Sequence, residues 1–267
     1  MLKLTLKYSS FQKRLTHGEI IVHRVLIYNM AYATGAPKSL PDSILNISRY
    51  FMPTRRNLNN ISRFINTQKA DVIGLIEVDT GSYRSSNVNQ AARISKHLSN
   101  FYHSTTKYGD SFTGRMLPIL SMQGNAVLTK DEESNSIYHY FPSGFKRLII
   151  ELDMGFYRFF LLHLSLSKRV RQIQLNHIAN LLHTNKNRPV IIGGDFNTFG
   201  GTKEIESICK ELNLTNPNVN NHPTFPSWAP KHQIDFILCS TDVKIINFEV
   251  PDIHLSDHMP IMLDFEI

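Results

Sequence analysis

The sequence predicts an α/β protein in which two mixed β-sheets pack face to face, with helices on the outer sides. Three observations favour this fold class. Strand-like segments outnumber helical ones, and several successive strands have no helix between them, which argues against a simple doubly wound sheet. The chain also has 267 residues, of which 42% are hydrophobic, and this is enough to form a substantial core.

The chain is predicted to begin with a basic extension over residues 1–18, followed by a single domain over residues 19–267. Apolar runs predict strands in that domain, and apolar residues at helical spacing predict helices. The segments predicted in the first half are strand Glu19–Asn29, a loop with a short amphipathic helix over Ala31–Arg55, helix Asn57–Thr67, strand Ala70–Val78 and helix Asn87–Leu98.

The second half is richer in strands. Its clearest helix is Lys168–Thr184, which carries Val170, Ile173 and Ile178 on one face and ends before Pro189. Thr202–Leu212 is predicted as a shorter helix. The predicted strands are Met122–Thr129, Phe145–Leu152, Tyr157–Leu164, Val190–Ile192, Gln233–Cys239, Val243–Val250 and Pro260–Ile267.

The charge balance is basic, with 29 lysines and arginines against 22 aspartates and glutamates and a formal net charge of +7. Such a balance favours a polyanionic partner, namely nucleic acid, anionic lipid or a phosphorylated small molecule. A generally basic proteome is the alternative explanation.

The sequence favours a cytoplasmic protein, although secretion by a non-classical route stays open. Cys209 and Cys239 have no paired spacing, which fits a reducing compartment. Met1–Thr16 contains no continuous apolar region, so we expect no secretory signal. No run approaches the roughly 18 apolar residues of a transmembrane helix, and a monomer is the expected state.

The stretch from Val190 to Asn197 reads VIIGGDFN and joins an apolar strand to two polar side chains. We expect its two glycines to let the backbone turn tightly at the end of the strand. Asp195 and Asn197 would then lie at the C-terminal edge of a sheet, where open α/β folds bind their ligands. An Asx-type turn that closes the strand is the alternative for these eight residues alone.

Further polar side chains lie at or near the ends of other apolar runs. An unpaired charge at the end of a buried strand is costly, so such a set favours a shared site over a series of caps. Its oxygen and imidazole ligands, without a thiolate, favour Mg²⁺ or Mn²⁺ over zinc. The set comprises Asn29, Glu77, His163, Asp195, Asn197, Asp235, Asp257 and His258.

Eight segments, in this order, resemble the endonuclease/exonuclease/phosphatase superfamily, which includes pancreatic-type deoxyribonucleases, abasic-site endonucleases, neutral sphingomyelinases and inositol-polyphosphate 5-phosphatases. The resemblance implies the DNase I-like four-layer αββα sandwich and metal-dependent phosphoester hydrolysis. The segments are YNM around Asn29, GLIEV around Glu77, GNAVLT at Gly124–Thr129, LLHLS around His163, GGDFN at Gly193–Asn197, PTF at Pro223–Phe225, QIDFI around Asp235 and LSDHMP at Leu255–Pro260.

The resemblance also implies metal ligands. Glu77 is expected to be the main ligand of a Mg²⁺ ion, with Mn²⁺ as a possible substitute. Asn29 and Asp257 are expected to complete the shell, directly or through water. A metal at this position would act as a Lewis acid and lower the pKa of bound water.

Catalytic roles follow from the same resemblance. Asp195 and Asn197 are expected to orient the attacking water and the phosphoryl oxygens. His258, held by Asp235, is expected to act as the general base or to stabilise charge in the transition state. His163 is expected to be a second donor to the phosphate.

Three further residues are candidates for substrate binding. Arg147 either reaches a phosphate or pairs with a surface acid. Arg84 either caps a phosphate or belongs to a polar loop. The hydroxyl of Thr224 is expected near the phosphate, by resemblance.

Three functions remain open at this point. The motifs and the positive charge favour a Mg²⁺-dependent phosphodiesterase acting on nucleic acid. Asp79, two positions after Glu77, and the apolar segment Leu40–Phe51 favour a phospholipid or inositol-phosphate hydrolase, if that segment is a membrane-touching flap and not a lid on the core. A catalytically inactive binding module on the same fold is the third.

Overall fold

The structure is a computed structural model that describes residues 21–37, 55–106, 122–183 and 188–267. The predicted N-terminal extension over residues 1–18 and the predicted flap at Leu40–Phe51 lie outside the described residues. Within the described ranges, the chain forms two six-stranded β-sheets and four α-helices.

The helices and strands follow the predicted order closely. The strands are β1 (His23–Asn29), β2 (Val72–Asp79), β3 (Phe101–Thr106), β4 (Gln123–Thr129), β5 (Asn135–Tyr140), β6 (Leu148–Asp153), β7 (Arg158–His163), β8 (Val190–Asp195), β9 (Leu214–Thr215), β10 (Asp235–Ser240), β11 (Lys244–Glu249) and β12 (Ile261–Glu266). The helices are α1 (Arg55–Gln68), α2 (Gln90–Leu98), α3 (Lys168–His183) and α4 (Lys203–Leu212).

Both sheets are mixed, as predicted. The strand order is β11-β12-β1-β2-β4-β3 in the first sheet and β5-β6-β7-β8-β10-β9 in the second. The pairs β1–β2 and β7–β8 are parallel, whereas the other neighbours are antiparallel. Because parallel strands end at the same edge, Asn29 and Glu77 lie at one edge of the first sheet, and His163 and Asp195 lie at one edge of the second.

Apolar side chains from both sheets fill the space between them and include Ile27, Ile150 and Leu161, each at most 1% exposed. The outer face of the first sheet is covered by α1 and α2, and that of the second sheet by α3 and α4. The fold is therefore the four-layer αββα sandwich that the sequence predicts. Among the described residues, no helix has both the length and the apolar character needed to span a bilayer.

The two glycines before Asp195 have a different role from the predicted one. β8 continues through Gly193 and Gly194 as far as Asp195, so the expectation that they end the strand in a tight turn is wrong. A Cβ atom on Gly193 would lie 1.8 Å from Cδ1 of Ile27 in the facing sheet, and one on Gly194 would lie 2.0 Å from the carbonyl oxygen of Leu162. Glycine is required at position 194, because a Cβ atom there would meet the backbone of the neighbouring strand, whereas at position 193 it would meet the end of the Ile27 side chain, which would have to shift.

Candidate active site

Asp195 is the centre of a group of polar side chains where the two sheets meet. Its carboxylate Oδ2 accepts a hydrogen bond from Nδ2 of Asn29 at 3.0 Å. The same oxygen lies 3.1 Å from Nε2 of His163 and 3.8 Å from Nε2 of His258. All four residues are at most 5% exposed, so the group forms a sheltered polar pocket.

Strand register brings these residues together. Parallel pairing of β7 and β8 places His163 beside Asp195, and antiparallel pairing of β10 and β8 places Asp235 opposite Asp195. Burial opposes ionisation of Asp195, but the charges of His163 and His258 and the hydrogen bond with His163 outweigh it and hold the pKa of the carboxyl well below its usual range. Asp195 is therefore an anion at neutral pH.

His258 is held by a chain of two side chains. Its Nδ1 lies 2.9 Å from Oδ2 of Asp235, and that oxygen also accepts a hydrogen bond from the hydroxyl of Thr224 at 2.6 Å. Burial alone would lower the pKa of His258, but the charges of Asp235 and Asp195 raise it to about 10. Thr224 is fully buried and its hydroxyl contacts Asp235, whereas the resemblance predicted a hydroxyl near the phosphate.

The three predicted metal ligands lie at the same pocket. Oε1 of Glu77 lies 4.0 Å from Nδ1 of His163, and the left-handed backbone of Glu77 has a φ of 56°. Burial raises the pKa of Asp257, and the negative charges of Glu77 and Asp195 raise it further. The carboxylates are thus close enough to repel one another.

A hard divalent cation fits this donor set. Two carboxylates that repel each other, with the amide of Asn29 beside them, supply oxygen ligands and an excess of negative charge that such a cation would neutralise. Asp195, Asp235 and His258 also place ligand atoms within 4.8 Å of one another. In that trio, however, Nδ1 of His258 is already hydrogen-bonded to Asp235.

Asn197 supports the strand ends around Asp195. Its backbone N–H donates to Oδ1 of Asp195 at 2.9 Å, and its side-chain Nδ2 donates to the carbonyl of Leu164 at 2.8 Å. Its φ of 52° lies in the left-handed region, which asparagine adopts more readily than most residues. The structure places Asn197 at the pocket, with its amide N–H₂ engaged in holding the segment after β7.

Arg84 is buried, contrary to its predicted role in substrate binding. Its side chain is 1% exposed and lies 3.1 Å from Oδ2 of Asp79, and its guanidinium stacks over the ring of Tyr32 at 4.1 Å. Asp79 also accepts hydrogen bonds from the backbone N–H groups of Gly81 and Ser82. Arg84 is therefore a structural cation beneath the loop that follows Glu77.

Lys146 reaches the pocket in place of the predicted Arg147. Nε of Arg147 donates to the carbonyl oxygen of Phe141 at 2.6 Å, so this group is used in a backbone contact. The amine of Lys146 instead contacts Nε2 of His163, and its charge favours the ionised form of Asp195. Sequence reasoning missed Lys146, although the adjacent pair Lys146-Arg147 marked the position of a cation.

Comparison with known proteins identifies the family. A family model described as "Endonuclease/Exonuclease/phosphatase family" matches residues 44–258. No curated protein matches the chain.

Solved structures share the fold at low sequence identity. An endonuclease/exonuclease/phosphatase family protein from Bacteroides thetaiotaomicron has a TM-score of 0.68 and 14% identity, covering 93% of this chain and 98% of its own. A mannosyl-6-phosphatase from the same species has a TM-score of 0.67 and 14% identity, covering 92% and 100%. Humanized D. rerio TDP2 has a TM-score of 0.64 and 12% identity, covering 92% and 99%. Since the family model spans most of the sequence, the chain belongs to the endonuclease/exonuclease/phosphatase family, whose members are phosphoester hydrolases.

Proposed function

We propose that the chain is a Mg²⁺-dependent phosphodiesterase that cleaves nucleic acid, with Mn²⁺ as an effective substitute. The observation that carries this proposal is the convergence of an ionised Asp195, a His258 paired with Asp235, and the carboxylates of Glu77 and Asp257 in one pocket. This is the set of groups that metal-assisted phosphoester hydrolysis requires.

The metal, when bound to Glu77, Asp257 and Asn29, would supply Lewis-acid stabilisation of charge on the phosphoryl group. Asp195 is buried and anionic, and it orients the attacking water through its carboxylate. His258, with a pKa of about 10, is protonated at neutral pH, so it stabilises negative charge on the phosphoryl oxygens. Fixed charges of this kind lower the barrier because phosphoryl transfer develops charge mainly on oxygen.

His163 and Lys146 complete the cationic side of the pocket. Nε2 of His163 contacts both Lys146 and Asp195, and one ring nitrogen cannot accept from the amine and donate to the carboxylate at once. A phosphate oxygen would give Lys146 a second acceptor and free Nε2–H of His163 to donate. We therefore assign Lys146, with His163, to binding the phosphoryl oxygens.

A nucleic-acid substrate is supported by charge. The formal net charge is +7, and exposed cations include Arg55 and Arg56 at the start of α1 and Lys168 and Arg169 at the start of α3. Such residues attract a phosphate backbone in a salt-dependent manner. Arg171, a further cation in the first turns of α3, does not contribute, because it is buried and its Nη2 lies 2.8 Å from Oε1 of Glu204.

The test is hydrolysis of plasmid DNA and single-stranded oligonucleotides by the purified protein at low salt, with Mg²⁺, with Mn²⁺ and with EDTA. We expect cleavage with either metal and none with EDTA. Asp195→Asn and His258→Gln should each lower turnover by about 10²–10³-fold in protein that circular dichroism shows to be folded at the assay temperature. Intact nucleic acid in every metal condition would refute the substrate, and full activity in either variant would refute the assigned roles.

A phospholipid substrate is the second candidate, and exposed apolar residues close in sequence to pocket residues favour it. Tyr83 is 89% exposed, Phe145 is 73% exposed and Leu166 is 66% exposed, and they lie in segments beside Glu77, Lys146 and His163. Apolar side chains in such positions can enter a membrane surface. Liposome flotation combined with release of the head group would support this candidate if the protein both binds and hydrolyses the lipid.

A further inference from the structure

A line of aromatic side chains runs from His258 towards solvent. The ring of Phe225 lies 4.9 Å from that of His258, measured between centroids. Phe199 lies 5.7 Å from Phe225, and His232 lies 5.6 Å from Phe199. Phe199 is 42% exposed, and His232 is also exposed. The line therefore starts beside a candidate catalytic ring and ends at the surface.

The backbone holds these rings firmly. The N–H groups of Thr224 and Phe225 donate to the carbonyl of His232 at 2.9 and 3.0 Å, and His232 returns a bond to Phe225 at 2.9 Å. The same loop is tied to the catalytic segment, since Ser227 donates to the carbonyl of Asp257 at 2.7 Å. The backbone that carries Phe225 and His232 is consequently tied to the segment that carries His258.

Phe199 is connected to the pocket through the backbone as well. Its N–H donates to the carbonyl of Asn197 at 3.0 Å, and its ring packs edge-on against Phe225 and His232 with interplanar angles of 84° and 68°. Edge-on packing against two neighbours fixes the ring while it stays partly exposed. A fixed, partly exposed ring is a platform on which another flat ring can stack.

We propose that Phe199 and His232 form a stacking subsite for the nucleobase next to the scissile phosphate. This inference rests on the proposed function, because the base must belong to the phosphodiester that is cleaved beside His258. Exposed Lys231 adjoins His232, so the wall combines flat rings with a cation, which suits a polyanion that carries bases. The orientation of the rings favours a nucleobase over the acyl chain of a lipid, because an acyl chain has no flat face to stack on them.

The experiment compares Phe199→Ala with Phe101→Ala, a matched control. Both phenylalanines are 42% exposed, but Phe101 pairs with Thr129 at the end of β4 away from the pocket. The substrates are dithymidine monophosphate and analogues in which either thymine is replaced by hydrogen. We expect the wild-type protein and Phe101→Ala to prefer the base-bearing substrate by about ten-fold in kcat/KM, and Phe199→Ala to lose that preference.

A binding measurement gives an independent readout. In EDTA, a dinucleotide containing 2-aminopurine should lose fluorescence on binding wild-type protein and Phe101→Ala, and lose less with Phe199→Ala or His232→Ala. Equal cleavage of substrates with and without a base by the wild type, or an unchanged preference in a folded Phe199→Ala, would overturn the subsite and leave the proposed function intact. If the protein cleaves no dinucleotide but hydrolyses a phosphate monoester or a phospholipid, the stacking subsite and the proposed function are both overturned.

Discussion

The guanidinium of Arg84 and the carboxylate of Asp79 form an ion pair inside the protein, with Nη2 and Oδ2 separated by 3.1 Å. Gln90 links the same region to the segment after the first strand, because its Oε1 accepts from the N–H of Asp79 at 2.9 Å and its Nε2 donates to the carbonyl of Tyr32 at 2.6 Å. Arg84 stacks on that tyrosine. The segments that follow Glu77 and Asn29 are thus cross-linked by non-covalent contacts.

Asp79→Asn should destabilise the protein strongly, because it leaves the buried guanidinium of Arg84 without its counter-charge. Loss of one partner of a buried ion pair costs about 3–5 kcal/mol. Arg188→Met is the control, since its pair with Asp153 is about one-third exposed and such pairs contribute less than about 1 kcal/mol. Denaturant unfolding measures both changes, and similar values for the two variants would contradict the structural role of Arg84.

Thr224→Val should reduce turnover by about ten-fold with little effect on KM. The hydroxyl donates to the carboxylate that holds Nδ1 of His258, and a hydrogen bond to a charged group contributes about 1.5–3 kcal/mol. Thr224→Ser keeps the hydroxyl and should recover most of the activity. Steady-state kinetics with both variants separates the two outcomes, and a valine variant with unchanged kcat would remove Thr224 from the positioning chain.

Lys146→Met should lower kcat/KM by about 10²-fold, the usual effect of removing one group that stabilises developing oxyanion charge. Arg147→Met is the neighbouring control and should keep near wild-type activity, because Nε of Arg147 donates to the carbonyl of Phe141 and lies apart from His163. Measuring kcat/KM for the two variants in parallel would show which of the two cations binds the phosphoryl group. A larger loss in the arginine variant would restore the role that the sequence suggested for it.

Periodicity predicted strands well where side chains are buried and poorly at the sheet edges. The missed strands are β3, β5 and β9. β5 reads NSIYHY, and its side chains are half-buried or exposed, so it lacks the alternation that marks a half-buried strand. β9 has only two residues, and it is defined by its pairing with β10. These strands depend on tertiary pairing, which no local pattern encodes.

The convergence of the candidate site residues was predictable from strand ends, but the directions of their side chains were not. Residues at strand ends lie together because the strands end together, and this brings Glu77, His163 and Asp195 into one pocket. In loops, the direction of a side chain does not follow from where the strands end. Arg84 and Thr224 are near the pocket in sequence, yet they point into the protein towards carboxylates. Lys146 and Arg147 differ by one residue, and only the three-dimensional structure distinguishes them.

Glu151→Gln should make the free energy of unfolding fall less steeply as the pH is lowered. Burial opposes ionisation of Glu151, but hydrogen bonds from His139 and Arg158 lower its pKa below the ordinary value of 4.5. A lowered pKa gives stability that is present above the unfolded value and is lost as the pH falls through the folded value. The variant should be less stable at pH 7 and show a shallower decline below about pH 5, as measured by urea unfolding across pH. Glu132→Gln removes the same charge from an exposed turn and is the control. If the free energy of unfolding of Glu151→Gln fell as steeply in acid as that of the wild type, the prediction would be contradicted.

Divalent cations should raise the melting temperature through Glu77 and Asp257. A ligand that binds only the folded state stabilises it by about 2.7 kcal/mol at 100 times its dissociation constant, which is about 5–10 °C in melting temperature for a protein of about this size. Glu77→Gln and Asp257→Asn each remove one carboxylate from the pocket, so the shift with Mg²⁺ or Mn²⁺ should shrink or disappear. Both variants should melt at or above the wild-type temperature in EDTA, because the repulsion that raises the pKa of Asp257 is then relieved. Differential scanning calorimetry in EDTA, Mg²⁺ and Mn²⁺ measures both effects, and an undiminished metal shift in Glu77→Gln would place the cation elsewhere.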